Sequence, residues 1–421
     1  MGSACTVDTD ALVMGAGPAG ASAAIRLASE GWRVVLVEQH DYPRQKVCGE
    51  CISAGALALI DELGIGPQFR RLAGLELRKL GWMSASATLV GDFPACAAGP
   101  YRFGRALGRD VFDSMLLDRA RSVGVRVLQP AKVCSVGGTL GSFQCWMSLR
   151  APGFAAAGTL KTGTMISAAI IIDAHGSWEA APTFAGADGA DERRPARRAS
   201  DLFAFKARFD GALLCPGLLP VVAFEGGYGG IVVAEGGRTT LACCIRRDAL
   251  RASRALAPSS LAGVAVERML RRSCRGVGDV LRHARRDGSW LSVGPVRPGI
   301  RLSAPSGVFR VGNAAGESHP LIGEGISMAL QSAKLLVSQL AQQRASAINE
   351  ARAKRLQYCY ARAWHRHFAP RLRLAALYAH LAMRPKFSAP LSEMLRRWPE
   401  LLTQAARIAG KARKSTSPVV T

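Results

Sequence analysis

Residues 10–38 read DALVMGAGPAGASAAIRLASEGWRVVLVE. Residues 11–14 are an apolar run of strand length, and three glycines at G-x-G-x-x-G spacing follow directly. Residues 19–29 contain helix formers and no helix breaker, and residues 33–37 have the composition of a second strand. The stretch therefore predicts a β–turn–α–β unit at the start of an α/β fold.

Each glycine of this turn has an expected role. Gly15 permits the tight turn, Gly17 lets the backbone approach a pyrophosphate, and Gly20 lets the helix pack on the strand. The helix N-terminus adds free N–H groups and a partial positive charge. Glu38 ends the second strand, where an acid accepts hydrogen bonds from an adenosine ribose and would repel a 2′-phosphate. Because strand, helix and acid accompany the glycines, we predict a dinucleotide site rather than an ordinary glycine-rich turn.

The composition is that of a globular protein. Its 421 residues, 49% hydrophobic and 20% charged, are enough for two or three domains. No apolar run approaches the ~20 residues of a membrane-spanning helix, and residues 1–10 lack the features of a signal peptide. Eleven cysteines without regular spacing fit reduced thiols. We therefore expect a cytoplasmic protein.

Positive charge is concentrated towards the C-terminus. The formal net charge is +24, and residues 351–414 hold 15 lysines and arginines against Glu393 and Glu400, a balance of +13. Such a region suits nucleic acid, an anionic membrane surface or an acidic carrier protein. The alternative is the solvated helical face of an arginine-rich protein. We expect no specific nucleic-acid partner, and we keep peripheral membrane contact as an expectation.

Residues 39–53, QHDYPRQKVCGECIS, predict a loop in which Arg44 and Lys46 are placed to face phosphate or ribose. Cys48 and Cys51 form a C-x-x-C pair. A zinc site would need two more ligands, which the sequence does not offer, so we predict no metal site. A thioredoxin-like dithiol stays open because the loop lies between a strand and a helix, but two ordinary thiols are favoured.

The middle of the chain predicts a second sheet and a return to the first. Residues 75–82 and 88–93 alternate like strands outside the nucleotide unit, and residues 133–169 alternate like a meander. Residues 170–172 read as a buried strand that rejoins the first sheet. Residues 202–247 are strand-like, with a predicted break at the glycine cluster GGYGG, residues 226–230.

Two further segments carry candidate site residues. Arg109 and Asp113 lie four apart at the start of a helix, where the plain interpretation is a surface ion pair. Residues 309–340, FRVGNAAGESHPLIGEGISMALQSAKLLVSQL, predict a strand, a loop and a helix with an apolar face. His319 in that loop is either a satisfied loop histidine or a functional group.

Taken together, GAGPAG with Glu38, PRQKVCGE, RDVFD and GNAAGESHPLIGEGIS resemble the FAD-dependent oxidoreductases of the p-hydroxybenzoate hydroxylase fold. PRQKVCGE resembles their geranylgeranyl reductase branch and its relatives, which include flavin halogenases. The resemblance covers residues 10–340. It implies an α/β fold with a Rossmann-type FAD-binding domain, a mixed β-sheet substrate domain and a C-terminal helical region. The predicted segments are 1–75, 104–185 and 291–344 for the FAD-binding domain, 76–103 and 186–290 for the substrate domain, and 345–421 for the basic helical region.

The resemblance also implies residue roles. Arg109 would contact FAD from its helix, and Asn313 takes a position that is usually Asp, so it keeps a carbonyl acceptor but loses the charge. The helix that begins near Gly325 would stabilise negative charge on reduced flavin. Cys48 resembles the branch cysteine beside the flavin and the substrate cavity. Cys48 and His319 are the catalytic candidates, and the predicted cofactor-binding residues are Gly15, Ala16, Gly17, Pro18, Ala19, Gly20, Glu38, Gln39, Arg44, Lys46, Arg109, Val133, Asn313, Gly323, Gly325 and Ile326.

Two departures bear on the substrate. The Y-x-W-x-F-P stretch of reductases that act on polyprenyl lipids corresponds to residues 228–233, YGGIVV, which lack the Trp and Pro. The W-x-W-x-I-P motif of tryptophan halogenases is also absent.

The expected activity is hydride exchange between FAD and a hydrophobic small molecule, free or carrier-bound, with NAD(P)H as co-substrate and electron donor. One alternative is a flavin-dependent monooxygenase. Another is a non-catalytic flavin-bearing protein that docks on a membrane or carrier.

Overall fold

The computed structural model describes residues 7–97, 99–149, 161–177, 179, 182–184, 197–258, 260–343 and 345–408. Most of the predicted boundary loop, residues 186–200, and the C-terminal end from residue 409 lie outside these ranges. The strands in chain order are β1 (Val7–Met14), β2 (Val34–Val37), β3 (Cys51–Ile52), β4 (Lys79–Met83), β5 (Thr88–Asp92), β6 (Arg105–Ala106), β7 (Arg126–Leu128), β8 (Ala131–Gly137), β9 (Phe143–Leu149), β10 (Lys161–Asp173), β11 (Thr183–Phe184), β12 (Leu202–Asp210), β13 (Leu218–Phe224), β14 (Gly227–Val233), β15 (Thr239–Arg246), β16 (Arg285–Val296), β17 (Gly299–Ile300), β18 (Val308–Arg310) and β19 (Gly316–Glu317).

One group of helices packs on the first sheet, and another group packs on the second. Short 3-10 turns at Glu235–Gly237, Gly312–Ala314, Pro320–Ile322 and Ala345–Ala347 accompany them. The α-helices are α1 (Pro18–Ser29), α2 (Ala54–Glu62), α3 (Gly66–Leu72), α4 (Arg109–Ser122), α5 (Arg247–Ala255), α6 (Ala262–Ser273), α7 (Arg275–Val280), α8 (Gly325–Leu340), α9 (Glu350–Ala382), α10 (Pro385–Arg397) and α11 (Glu400–Ile408).

The first sheet has β1 near its centre. β2 and β10 flank β1 in parallel, β7 extends the sheet beside β2, and β18 pairs in parallel with β10. Ala11 and Val13 pack among the helices, whereas Leu12 and Met14 pack against the β8–β9–β10 meander. Burial on both faces explains why this strand reads as a continuous apolar run. The predicted nucleotide unit, the meander and the returning strand are all confirmed.

The second sheet has the order β16-β12-β15-β14-β13-β4-β5. The predicted break at the glycine cluster is confined to Gly226, in the turn between β13 and β14, whereas residues 227–230 begin β14, which pairs with both β13 and β15. Glycine is needed there for close packing: a Cβ on Gly227 would lie 2.2 Å from the Phe224 ring, and one on Gly229 would lie 2.7 Å from the Ala242 carbonyl oxygen.

The C-terminal helices join the two sheets. The first half of α9 packs its buried face into the helical core of the first sheet, through residues such as Leu356 and Trp364. Its last turns, with α10 and α11, cover one face of the second sheet. The Trp82 indole donates to Ser392 Oγ at 2.9 Å across this contact. No helix in the described ranges is long and apolar enough to cross a membrane.

Candidate functional site

A cavity of about 670 Å³ lies where the first sheet, the second sheet and the C-terminal helices meet. The carboxyl ends of β1, β2 and β10 contribute to it, as expected for an open parallel sheet that binds a ligand. All but three of the predicted site residues line this one cavity. The lining residues are Gly15, Gly17, Pro18, Ala19, Glu38, Gln39, Lys46, Cys48, Arg109, Val133, Asn313, His319, Gly323, Gly325 and Ile326.

Neighbouring atoms leave no room for a side chain at Gly15 or Gly20, whereas there is open space at Gly17. Gly15 has φ +97°, and a Cβ there would lie 2.6 Å from the Ala174 carbonyl oxygen. A Cβ on Gly20 would lie 1.9 Å from the Gly15 carbonyl oxygen, so Gly20 supports the turn from behind the cavity. At Gly17 the nearest atom to an added Cβ is Arg109 Nη2, at 3.6 Å. The backbone at Gly17 is therefore open to a ligand.

Glu38 is fixed at the end of β2. Its carboxylate accepts hydrogen bonds from the backbone N–H of Ala16 at 2.9 Å, the backbone N–H of His40 at 3.0 Å and the Tyr42 hydroxyl at 3.2 Å. Ala16 thus acts on the site through Glu38 and does not line the cavity. A carboxylate has about four acceptor positions, so capacity remains for one ribose hydroxyl.

Two cations stand beside the glycine turn. Arg109 binds Asp113 through two contacts of 2.8 and 2.6 Å, and the two side chains are 12% and 1% exposed, so the surface ion-pair interpretation is wrong. Burial alone would lower the pKa of Arg109, but Asp113 raises it above its usual value. Burial and Arg109 lower the pKa of Lys46, whose ammonium has no hydrogen-bond acceptor within the described ranges. An unneutralised cation beside a helix N-terminus fits the diphosphate of FAD.

Arg44 lies outside the cavity lining. It approaches Glu179 at 3.5 Å, and His40 contacts the same carboxylate at 3.2 Å. Hydrogen bonding from His40 lowers the pKa of Glu179 to about 2. The predicted cofactor contact of Arg44 stays a prediction, since only its ion-pair partner Glu179 is among the cavity-lining residues.

The loop before α8 supplies the opposite wall. Asn313 donates from Nδ2 to Ser177 Oγ at 2.8 Å and keeps its carbonyl oxygen as an acceptor. Gly323 has φ +56° where the turn Pro320–Ile322 ends. A Cβ on Gly325, the first residue of α8, would meet nothing within 4 Å. The N-terminus of α8 therefore faces open space in which its partial positive charge can act on a ligand.

Neither Cys48 nor Cys51 is part of a disulfide bond. Cys48 lines the cavity, and its sulfur accepts a hydrogen bond from the Glu50 backbone N–H at 3.3 Å. Cys51 is buried in β3, which pairs with β6. The described ranges contain no group of three or more histidine, cysteine or acidic side chains placed to hold a metal ion.

His319 pairs with a tyrosine that sequence reasoning missed as a site residue. Its Nδ1 lies 3.1 Å from the Tyr228 hydroxyl, and both residues line the cavity. Burial, with a smaller contribution from His380, lowers the pKa of His319 to about 4. Burial also raises the pKa of Tyr228 well above its usual value. At neutral pH the pair is therefore an uncharged imidazole and a protonated phenol.

The lowered pKa of His319 predicts a pH-dependent stability. Between its ordinary value of 6.5 and its folded value of about 4, the unfolded state binds a proton that the folded state does not. The free energy of unfolding should therefore fall as the pH falls through this window. Urea unfolding at several pH values should show a weaker dependence in His319→Asn and an unchanged one in a variant of the exposed His283. Equal dependence in all three proteins would contradict the assignment.

A second polar pair was also missed. Asp173 ends β10 and is fully buried, and its carboxylate contacts His175 Nδ1 and lies 3.5 Å from Arg310 Nε. His175 lines the cavity, and its Cα would lie 3.3 Å from a Cβ on Gly15. The only signal in the sequence was the polar run DAHG directly after an apolar strand.

Beyond these polar groups the cavity becomes an apolar chamber. It is enclosed by β4, β13 and β14 of the second sheet and by the C-terminal helices. Its apolar lining includes Leu80, Trp82, Phe93, Leu219, Pro220, Val221, Ile231, Leu381, Leu391, Met394, Leu395, Leu401, Leu402 and Ile408.

Residues 8–141 match the family described as FAD binding domain. Menaquinone reductase of Mycobacterium tuberculosis is 32% identical over 130 residues, 30% of this chain and 30% of that protein. Tryptophan 2-halogenase of Chondromyces crocatus is 31% identical over 121 residues, 29% of this chain and 22% of that protein. The match thus spans about a third or less of these relatives.

Solved structures extend the likeness in fold to almost the whole chain. A myxobacterial chondrochloren halogenase superposes with a TM-score of 0.71 at 19% identity, over 96% of this chain and 91% of the other. A geranylgeranyl bacteriochlorophyll reductase-like protein of Thermoplasma acidophilum gives 0.63 at 17% identity, over 98% and 94%. The predicted fold class and the presence of an FAD-binding domain are confirmed, whereas the predicted bounds of the domain segments stay predictions.

Proposed function

We propose that this chain, which carries an FAD-binding domain in the fold of FAD-dependent oxidoreductases, reduces or dehydrogenates a hydrophobic small molecule with NAD(P)H as electron donor. The observation that carries the proposal is the shared cavity. Most of the predicted FAD-binding residues and the residues of the apolar chamber line the same cavity. A ligand in the chamber would lie next to the flavin ring, which is the arrangement that hydride transfer requires.

The chamber supports an apolar substrate. Ligand sites of this kind have an apolar lining with a few placed polar groups that fix orientation. Here the Tyr228–His319 pair is such a group, at the junction with the loop that precedes α8. A relative named menaquinone reductase supports a quinone as one candidate substrate.

The chain's own residues have separable tasks. When bound, FAD supplies the hydride transfer. The Gly17 backbone, Lys46 and Arg109 would hold its diphosphate. The second sheet and the C-terminal helices form the apolar walls of the chamber.

Tyr228 is the group best placed to hold a proton for the substrate. Its raised pKa keeps the hydroxyl protonated at neutral pH, so it can donate to a substrate oxygen or carbon. The neutral His319 positions that hydroxyl. Cys48, on the loop that precedes β3, stays a second candidate.

Anaerobic stopped-flow spectroscopy tests this proposal. The FAD-loaded protein is reduced with NADH or NADPH and then mixed with a quinone or an alkene, and flavin absorbance is followed. We expect substrate to reoxidise the flavin without oxygen. Tyr228→Phe should slow that step by about 10-fold or more, a typical contribution of one positioned proton donor. Reduction by NAD(P)H should not change, and Tyr358→Phe, at a site 66% exposed, is the matched control.

A monooxygenase is the second candidate. A relative named 6-methylpretetramide 4-monooxygenase, from Streptomyces rimosus, is 32% identical over 114 residues, 27% of this chain and of that protein. This function predicts that the flavin is reoxidised only with O₂ and that the product carries label from ¹⁸O₂. Either result would overturn the reductase proposal.

A non-catalytic flavin-bearing protein is the remaining alternative. It predicts binding to a membrane or carrier that persists in a variant without flavin turnover. The direct continuity between the predicted flavin site and the apolar chamber favours an enzyme.

A further inference from the structure

The outer wall of the apolar chamber is built by the last two helices. Leu391 and Met394 of α10 line the cavity, as do Leu401, Ala405 and Ile408 of α11. On α10 these residues share one face, whereas α11 lines the cavity with more than one face, Gln404 included. Both helices therefore border the place where we propose that substrate binds.

Apolar side chains of both helices also face the outside. Phe387 and Trp398 extend the α10 face at its two ends, and they are 47% and 52% exposed. Met394 is 39% exposed and Ile408 is 61% exposed, although both line the cavity. We call Phe387, Met394, Trp398 and Ile408 the apolar rim. Met394 and Ile408 thus contact both the cavity and solvent, so the chamber lies directly behind the surface that α10 and α11 form.

Positive charge surrounds the apolar rim. Residues 384–408 contain five arginines and lysines and two glutamates. Glu393 is engaged by Arg396 at 2.8 Å and Arg397 at 3.2 Å. Arg384 and Lys386, like Arg407, are exposed and have no acidic partner within the described ranges. Three cations are thus available to a negatively charged partner.

We propose that α10 and α11 dock on an anionic lipid bilayer and that a substrate dissolved in the membrane enters the chamber between these two helices. Exposed aromatic and aliphatic side chains flanked by cations are the pattern of helices that lie in a membrane interface. An acidic carrier protein would satisfy the cations. It would not explain why exposed apolar side chains of the rim also line the chamber. The docking proposal depends only on the surface of α10 and α11, whereas the substrate path also rests on the proposed function.

The first experiment measures binding to lipid vesicles. The full chain, loaded with FAD, is sedimented with phosphatidylcholine vesicles and with vesicles that also contain phosphatidylserine. We expect binding to the anionic vesicles, a loss of binding as salt is raised, and no comparable binding to phosphatidylcholine alone. Phe387→Ser with Trp398→Ser should weaken binding by about 10-fold or more, because two large apolar side chains no longer enter the bilayer interface.

A matched control variant tests whether binding needs the apolar rim or whether any exposed apolar side chain can supply it. Leu256 and Leu261 are 78% and 79% exposed and lie beside α5 and α6. Leu256→Ser with Leu261→Ser should bind vesicles like the wild type. Thermal unfolding and FAD affinity should be unchanged in both double variants. Equal vesicle binding by the rim variant and the wild type would overturn the proposal, as would binding only to an acidic acyl carrier protein.

The second experiment tests the substrate path. Anaerobic flavin reoxidation is compared for a long-chain quinone held in anionic vesicles and a short-chain, water-soluble quinone. We expect the rim variant to slow only the reaction with the vesicle-held quinone. An equal slowing with both quinones would overturn the path. If neither quinone reoxidises the wild type, the proposed function fails for quinones, and the vesicle sedimentation still decides the docking.

Discussion

Replacing Glu50 with Ala is expected to lower the free energy of unfolding by about 3–5 kcal/mol, the range found when one partner of a buried ion pair is removed. Glu50 follows Cys48 and Gly49 in the loop after β2, and it is fully buried. Its Oε1 contacts Lys206 Nζ and lies 3.0 Å from Arg208 Nη2, and both cations are almost completely buried on β12. Its Oε2 accepts from Thr240 Oγ1 at 2.5 Å.

The expected cost comes from the cations that remain. Burial alone would raise the pKa of Glu50, but Lys206 and Arg208 lower it below its usual value. This stabilisation is therefore present at neutral pH and is lost as the pH falls below about 4. Arg208 keeps Asp110 at 2.7 Å, whereas Lys206 would keep, among the described residues, only the Lys46 carbonyl oxygen at 3.2 Å. A buried ammonium without a carboxylate is strongly unfavourable.

Urea unfolding of the FAD-free protein at neutral pH measures this effect. Glu50→Gln keeps the volume and removes the charge, so it should fall between the wild type and the Ala variant. Glu76→Ala is the control, because Glu76 makes a more exposed pair with Arg78 at 2.7 Å and should cost less than about 1 kcal/mol. A Glu50→Ala protein as stable as the Glu76→Ala protein would show that the cluster adds nothing to stability.

Glu50 also shows where sequence reasoning reaches its limit. The Cys-Gly-Glu stretch was recognised as a family marker, but Lys206 lies 156 positions away and was unremarkable as one charged residue in a strand. An alternating strand pattern predicts which side chains are buried, but it does not say which distant charge meets them. The glycine turn, in contrast, was predictable because strand, turn, helix and Glu38 lie within 29 consecutive residues.

The same limit applies to the cavity. The predicted C-terminal helical region is confirmed, but nothing in the sequence indicated that α10 and α11 would border a chamber with β4 and β14. That arrangement depends on how two sheets and a 33-residue helix are placed in space. Tyr228 is an example of a site residue that the sequence did not reveal. Its local sequence showed only that a family motif is absent, and its partner His319 lies 91 positions away.

Of two substitutions in the glycine turn, one should lower the stability of the fold and the other should weaken FAD binding. Gly20→Ala should destabilise the FAD-free protein by about 3 kcal/mol, because overpacking that displaces backbone costs of this order. The added Cβ would lie 1.9 Å from the Gly15 carbonyl oxygen and 3.0 Å from the Ala174 Cβ. The gain of up to about 1 kcal/mol from replacing glycine inside a helix is too small to offset this.

Gly17→Ala should leave the fold nearly intact and weaken FAD binding instead. Its Cβ would meet only Arg109 Nη2, at an ordinary contact distance of 3.6 Å, so the free energy of unfolding should change by less than about 1 kcal/mol. The methyl group would occupy space that the diphosphate needs, and the Kd for FAD should rise by about 10-fold or more. Urea unfolding without FAD and fluorescence titration with FAD measure the two effects separately. If Gly17→Ala bound FAD like the wild type, the diphosphate would not lie against Gly17. The assignment of Lys46 and Arg109 as its partners would then be wrong as well.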